Sequence, residues 1–202
     1  IKGFKGASSG VVPWIKQLNN TAVSVDQLGR RKGAIAVYLD VWHADILSFL
    51  DLKLNNGDER QRAHDIFTGV CLPDYFMEQV EQRGDWYLFD PHEVRQVMGF
   101  SLEDYFDEEK GEGAFRTKYL QCVHNEQLTK TKIPAIQIMA RIMKSQLETG
   151  TPFMFYRDEI NRMNPNKHAG MIYSSNLCTE ITQNMSPTVH VEETVDGDTI
   201  IT

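Results

Sequence analysis

Cysteine is scarce in this chain of 202 residues: Cys71, Cys122 and Cys178 stand far apart. An odd, scattered set excludes a disulfide framework, and no CxxC or His/Cys cluster has the spacing of a metal site. A reducing cytoplasm is the expected compartment. Long apolar runs are also missing. None approaches the roughly 18 residues that a spanning helix needs, so no membrane segment is expected. No basic stretch followed by an apolar one marks a secretory signal. Positive charge is in deficit, with 21 Lys and Arg against 28 Asp and Glu, a net charge of −7. That balance excludes the basic stripe of a nonspecific nucleic-acid surface.

What is present suits a folded α/β unit. Hydrophobic residues make up 41% and charged residues 24% of the chain, enough for one sizeable core. The chain opens on Ile1 without a methionine and stops at Thr202 inside the alternating run 194–201, where Asp196-Gly197 signals a hairpin. A piece of a longer polypeptide is expected.

Along the chain, Ser8-Ser9 is placed to cap a helix starting near Val11, with Pro13 in its first turn. Val11, Ile15, Leu18, Ala22 and Val25 then form one apolar stripe, suited to a core or to a helix–helix seam. Residues 26–33 read as a flexible basic loop, with Arg30, Arg31 and Lys32 between Gly29 and Gly33. Residues 34–39 suit a buried parallel strand. An amphipathic helix is expected over 45–53, a turn over 55–58 and a buried strand over 66–72. A helix over 74–80 follows, then a strand over 86–89 and a helix capped by Asp90-Pro91. Residues 101–113, with Glu103, Asp104, Asp107, Glu108, Glu109 and Glu112 against Lys110, read as a solvated acidic surface. Residues 134–148 predict a helix with Ile136, Met139, Ala140 and Met143 on its apolar face, stopped by Gly150 and Pro152. A strand over 153–156 and a turn over 164–166 follow. Strands alternating with helices imply an α/β architecture. His43 is expected to be a capping or core histidine.

The most informative stretch is Ser174-Ser175-Asn176-Leu177-Cys178-Thr179-Glu180-Ile181. If it is extended, the side-chain period of two places Asn176, Cys178 and Glu180 on one face. A thiol flanked by an amide and a carboxylate suits chemistry on a hydroxylated substrate. The plain alternative is a small buried cysteine with no role.

This run resembles the finger loop of the class I ribonucleotide reductase large (alpha) subunit. Other segments agree in order and spacing: Gly6-Ala7-Ser8-Ser9-Gly10-Val11-Val12-Pro13-Trp14, Arg30-Arg31-Lys32-Gly33-Ala34 and Val37-Tyr38-Leu39-Asp40-Val41-Trp42-His43. Asp45-Ile46, Phe49-Leu50-Asp51-Leu52-Lys53, Tyr87-Leu88-Phe89-Asp90-Pro91 and Asn161-Arg162-Met163-Asn164-Pro165 extend the match over nearly all of positions 1–190. The resemblance implies part of a ten-stranded α/β barrel, its first half plus the finger loop. It divides the chain into a dimer and effector helix with specificity loop (1–33), barrel strands and helices (34–170), the finger loop (171–185) and the start of the next hairpin (186–202).

By resemblance, Cys178 is the thiyl residue, Glu180 the base and Asn176 the orienting group. Asp26, Gln27, Gly29, Arg30, Arg31 and Gly33 match the specificity loop, in which Gln27 and Arg31 answer a deoxynucleotide effector and contact the substrate base. The implied activity is reduction of ribonucleoside diphosphates to deoxyribonucleotides for DNA synthesis, under dNTP and ATP control. The family binds no cofactor on this subunit. A metal-containing small (beta) subunit supplies the radical, a thioredoxin- or glutaredoxin-type protein the reducing power, and the large subunit forms a homodimer. The cysteine pair that reduces the substrate lies outside these motifs, so Cys71 and Cys122 are expected to be structural and this piece alone inactive. Two other readings stay open: a nucleotide-binding regulatory or assembly module of a split enzyme, and a cysteine hydrolase using one of the six histidines.

Overall fold

The computed structural model describes residues 9–27, 29–184, 191–193 and 199–201. At its centre lies a parallel sheet in the order β3-β4-β7, formed by Ala36–Asp40 (β3), Phe67–Leu72 (β4) and Phe153–Tyr156 (β7). Registers are fixed by Asp40 opposite Cys71 and Cys71 opposite Phe155. Three parallel strands with helices between them make an unclosed part of an α/β barrel, as expected. No helix among the described residues is long and apolar enough to cross a membrane.

Strand alternation gives the sheet two unlike faces. Val37, Leu39, Val70, Leu72 and Met154 join the main core. The intervening positions Tyr38, Cys71 and Phe155 turn to the other face, where they meet Ile172 and Ile160. Gly69 lies on that second face beneath the Tyr38 ring. A Cβ there would sit 2.4 Å from the ring edge, so only glycine admits it.

The main core is filled by helices and an aromatic cluster. These elements are α2 (Ile46–Leu50), α3 (Asp74–Glu81), α4 (Pro91–Met98), α5 (Ala114–His124) and α6 (Ala135–Thr149). Asp90 caps α4 by accepting from the N–H groups of His92 and Glu93. Gly150 ends α6 in the left-handed region at φ 76°. Trp86 stacks on Tyr119 with ring centroids 4.3 Å apart, and Phe76, Phe89 and Phe115 meet these rings at their edges or faces. Such pairing adds to the stabilisation from area burial alone.

Several expectations are corrected. The first helix, α1 (Val12–Ser24), takes Val11 as its cap with no side-chain hydrogen bond, and Ser8 lies outside the described residues. Its buried face is Val12, Ile15, Asn19 and Ala22, whereas Leu18 and Val25 of the anticipated stripe are exposed. Asn19 earns its place by bridging to Asp65, whose N–H its Oδ1 accepts at 2.8 Å. In α6 the buried face is Ala135, Ile138, Ile142 and Ser145, rotated from the predicted one. Ile136 and Met143 face out because α3 and α2 pack on the other side. The helix expected over 45–53 is only five residues long.

Segment 101–113 is not wholly solvated: Asp107 is fully buried, and its Oδ1 accepts the N–H of Arg116. Helix α5 and strand β6 (Lys130–Pro134) were not anticipated. Strand β6 pairs antiparallel with β5 (Asp85–Phe89). On its other edge, β5 bonds to the end of the β3 segment through Phe89 and Trp42. At the far end, β8 (Val191–Glu193) pairs with β9 (Thr199–Ile201), as a hairpin requires. Asp196-Gly197 falls outside the described residues.

Tyr119 closes that β5 edge. Its hydroxyl accepts from Tyr87 N–H at 2.7 Å and donates to Tyr87 C=O at 3.0 Å. Tyr119→Phe would keep the ring and leave both backbone groups unpaired. A loss of about 1–3 kcal/mol is expected, read as a lower urea midpoint with an unchanged slope.

Candidate active site

The Cys178 run lies over the second face of the sheet. Its approach is set by α7 (Arg157–Arg162), which begins directly after β7. Asn161 is buried and uses its whole amide. Nδ2 donates to Ile172 C=O at 3.0 Å and to Arg157 C=O at 2.9 Å, while Oδ1 accepts Ile172 N–H at 2.8 Å. The side chain thus pairs with residue 172 as a neighbouring strand would. Ile172 then packs on Cys71 and Phe155, and the Cys71 thiol points to Tyr173 C=O.

Beyond residue 174 the chain does not extend. Residues 177–179 form a turn, which corrects the extended reading, and Thr179 stands at φ 68°. The loop closes on itself. Ser175 Oγ donates to Ile181 C=O, and Asn176 Oδ1 accepts Ile181 N–H at 3.3 Å. Cys178 and Glu180 are exposed on this turn, and Asn176 is half-buried. The Asn176 oxygen is therefore committed to the loop. Its NH2 donates to no described residue and is the end available to a hydroxyl. No histidine is hydrogen-bonded to Cys178 among the described residues.

The other two cysteines are unlike it. Burial pushes the Cys71 thiol up to about 12 and the Cys122 thiol up to about 11, so both are held as neutral thiols. That agrees with the structural role expected of them. His43 is largely buried, its Nδ1 accepts Asp45 N–H at 3.0 Å, and burial lowers its proton affinity. It behaves as a neutral local cap.

At the carboxyl ends of the parallel strands, Arg157 reaches across to Asp40 at 3.0 Å and donates to Glu103 C=O at 2.9 Å. Burial works against the charge on Arg157, but Asp40, Cys71 and Asp158 together outweigh it and the guanidinium titrates above its ordinary value. The pair borders a cavity of about 380 Å³ lined also by Tyr38, Cys71, Tyr173 and Ser174. Crevices at this end of parallel strands are where α/β proteins place ligands. Sequence reading missed Tyr38, Asp40, Arg157 and Asn161 as members of this site. The available signal was the period of two in β3, which puts Tyr38 and Asp40 on one face.

Residues 26–33 form a tight hairpin rather than a loose loop. Asp26–Gln27 (β1) pairs antiparallel with Arg31–Lys32 (β2), which sets Gln27 opposite Arg31. Arg30, Arg31 and Lys32 are exposed. Gly33 N–H donates to Val25 C=O at 2.7 Å. A Cβ on Gly33 would meet Ala22 C=O at 2.7 Å, so glycine is required for the hairpin to close against the end of α1. Leu28 lies outside the described residues.

Comparison with known proteins decides the family. The family model described as ribonucleotide reductase, barrel domain, matches residues 1–195. The chain belongs to the ribonucleotide reductase barrel-domain family. It is 50% identical to the ribonucleoside-diphosphate reductase subunit alpha of Treponema pallidum, with all of this chain and 24% of the relative covered. The Helicobacter pylori subunit alpha (strain J99) is 44% identical over 93% of this chain and 22% of its own length. The Dictyostelium discoideum large subunit is 46% identical over 93% of this chain and 20% of its own. The chain therefore spans between a fifth and a quarter of the length of these relatives.

Within this ribonucleotide reductase barrel segment, Asp158 supplies a pH-sensitive staple. Its carboxylate accepts Asp74 N–H at 2.6 Å and Asp107 N–H at 2.9 Å. Burial pushes its titration up to about 6, and the Asp107 and Asp74 carboxylates add to the push, against the pull of those two amides. A folded-state value above the unfolded one favours the fold when protonated, and that advantage disappears as pH rises from 4 through 6. Comparison with Asp158→Asn, which cannot titrate, isolates the effect. The wild type's stability relative to the variant should fall by on the order of 3 kcal/mol between pH 3.5 and 7; a relative gain over that range would mean that the two amide donors outweigh desolvation.

Proposed function

We propose that this segment carries the reacting thiol of a ribonucleoside-diphosphate reductase large subunit, with Cys178 as the group that acts on the ribose. The observation that carries this reading is the closed 175–181 turn, which presents an exposed thiol over the sheet face opposite the helices. The names of the relatives, and the identity of 50% to one of them over the whole chain, support the substrate class.

The chemistry follows from the groups. Hydroxide is a poor leaving group, so a ribose 2′-hydroxyl resists direct displacement. A thiyl radical on Cys178 takes the 3′-hydrogen, forming an S–H bond and leaving a carbon radical beside the leaving group. Glu180 accepts the 3′-hydroxyl proton as carbonyl character grows. The Asn176 amide holds a hydroxyl in line. The 2′-hydroxyl takes a proton from a thiol pair elsewhere in the full protein and leaves as water. The pair supplies two electrons and its second hydrogen to C2′ as it becomes a disulfide, and Glu180 returns its proton to the 3′-oxygen. Cys178 finally returns its hydrogen to C3′ and is again a radical. The one-electron oxidant comes from a radical-generating small subunit, and a dithiol protein re-reduces the disulfide.

The 26–33 hairpin is the proposed specificity element. It is welded to the C-terminal end of α1 through Gly33, and β3 begins only three residues later. A deoxynucleotide that prefers one hairpin conformation shifts its population and, by linkage, the affinity for one substrate base. Arg31, opposite Gln27, is the proposed contact to that base.

In the complete large subunit assayed with its small subunit, Cys178→Ala should cut turnover by more than about 10³-fold. Glu180→Gln should cut it by about 10²–10⁴-fold. Deoxynucleotide binding, measured by calorimetry, should stay within twofold for both. Substantial turnover by Cys178→Ala would overturn the assignment.

A further inference from the structure

The Cys178 turn needs something to hold it at its far side. Asn161 fixes the chain only as far as Ile172, and the Ser175 and Asn176 bonds close the loop without attaching it to the sheet. Thr179, the residue next to the thiol, is β-branched and stands at φ 68°. Such residues rarely occupy the left-handed region, and they do so only when the surroundings over-determine them.

A side chain of the central sheet provides such a restraint. Tyr38 rises from the middle of β3, crosses Gly69 on β4 and meets Phe155 on β7 edge-on, with ring centroids 5.7 Å apart. Its hydroxyl then reaches two atoms of the turn. The Asn176 carbonyl is 2.7 Å away and can only accept, so it takes the phenolic proton. The Thr179 hydroxyl is 2.6 Å away and therefore donates to the phenolic oxygen. These bonds flank Cys178 on both sides, at positions 176 and 179. The ring has no second place to go: β4 lies beneath it, with room only because residue 69 has no side chain. Burial also pushes the Tyr38 phenol above its ordinary titration range, which keeps the donated proton in place at neutral pH.

We infer that Tyr38 is a positioning residue for the reaction: its hydroxyl, braced over Gly69, sets where the Cys178 sulfur stands relative to the substrate. This inference rests on the reading of Cys178 as the reacting thiol. Tyr38 touches neither the thiol nor any reacting atom. It acts through the backbone on one side of the thiol and the Thr179 hydroxyl on the other. Displacement of a reacting atom by a fraction of an ångström to 1 Å lowers the chemical rate without weakening substrate binding made elsewhere.

The test uses the complete large subunit with its small subunit and a ribonucleoside diphosphate. Tyr38→Phe removes one oxygen and keeps the ring over Gly69. Thr179→Val removes one of the two bonds that Tyr38→Phe removes, the one to position 179. Each should lower kcat by about tenfold to a hundredfold with KM within twofold, and the double variant should be no worse than the poorer single one. Thr179→Ser, which keeps the hydroxyl, should recover most of the loss seen with Thr179→Val. The alkylation rate of Cys178 by iodoacetamide in the resting protein should change in Tyr38→Phe and Thr179→Val and return towards the wild-type rate in Thr179→Ser. A Tyr38→Phe enzyme with wild-type kcat, in a background where Cys178→Ser is inactive, overturns the inference alone. So do losses that multiply in the double variant, or a fall in activity that follows KM. Turnover that survives Cys178→Ser overturns the reading of the thiol, and this inference with it.

Discussion

Four polar side chains on one short helix hold this segment together. Helix α7 buries Arg157, Asp158 and Asn161 almost completely, and Arg162 largely. A buried polar group without a partner costs more than a partnered one gains, so each must be matched when the chain folds. Their partners are spread along the chain. Arg157 takes Asp40 at the end of β3 and the carbonyl of Glu103. Asp158 takes the first N–H of α3 and that of Asp107. Asn161 takes Ile172, and Arg162 takes Asp74 together with the carbonyl of Asp107. Replacing any one of them leaves charges or amides stranded in distant elements. The cost is therefore that of an interrupted network rather than of one bond.

That network explains why the acidic segment is not merely surface. Glu108, Glu109 and Glu112 are exposed, as a charge run suggests, but Asp107 turns inward to accept Arg116 N–H while its own backbone serves Asp158 and Arg162. Composition could not separate Asp107 from its neighbours, because the difference lies in which backbone groups need partners. The α6 face was hidden for a related reason. Ile136, Ile138, Ile142 and Met143 are all apolar, and two overlapping stripes fit the helical period. The choice between them belongs to α2 and α3, which a local pattern does not contain.

Other parts were legible because one local rule dominates them. The apolar run in β4 suits a central strand covered on both faces. Asp90-Pro91 and Gly150 mark helix ends through chemistry that needs no distant partner. At the candidate site, the residue types around Cys178 were legible and their arrangement was not. Alternation would have aligned Asn176, Cys178 and Glu180. The turn instead closes through Ser175 and Asn176, and a threonine adopts a positive φ that its type does not suggest.

The division of labour in the sheet follows from the same alternation. Odd and even positions of β3 and β4 serve different purposes: Val37, Leu39, Val70 and Leu72 seal the helical core, while Tyr38, Gly69 and Cys71 shape the face beneath the thiol turn. Substitutions on the first set remove apolar burial and lower stability. Those on the second set act on the smaller cluster of Cys71, Phe155 and Ile172 and on the turn that lies over it. A single residue's slip in register would exchange the two sets and put the Tyr38 phenol into the aromatic core. The pairing of Asp40 with Arg157 across the strand ends opposes such a slip, because it would separate two charges that are both out of water. The ion pair that secures the fold and the tyrosine that meets the thiol turn therefore depend on one strand register.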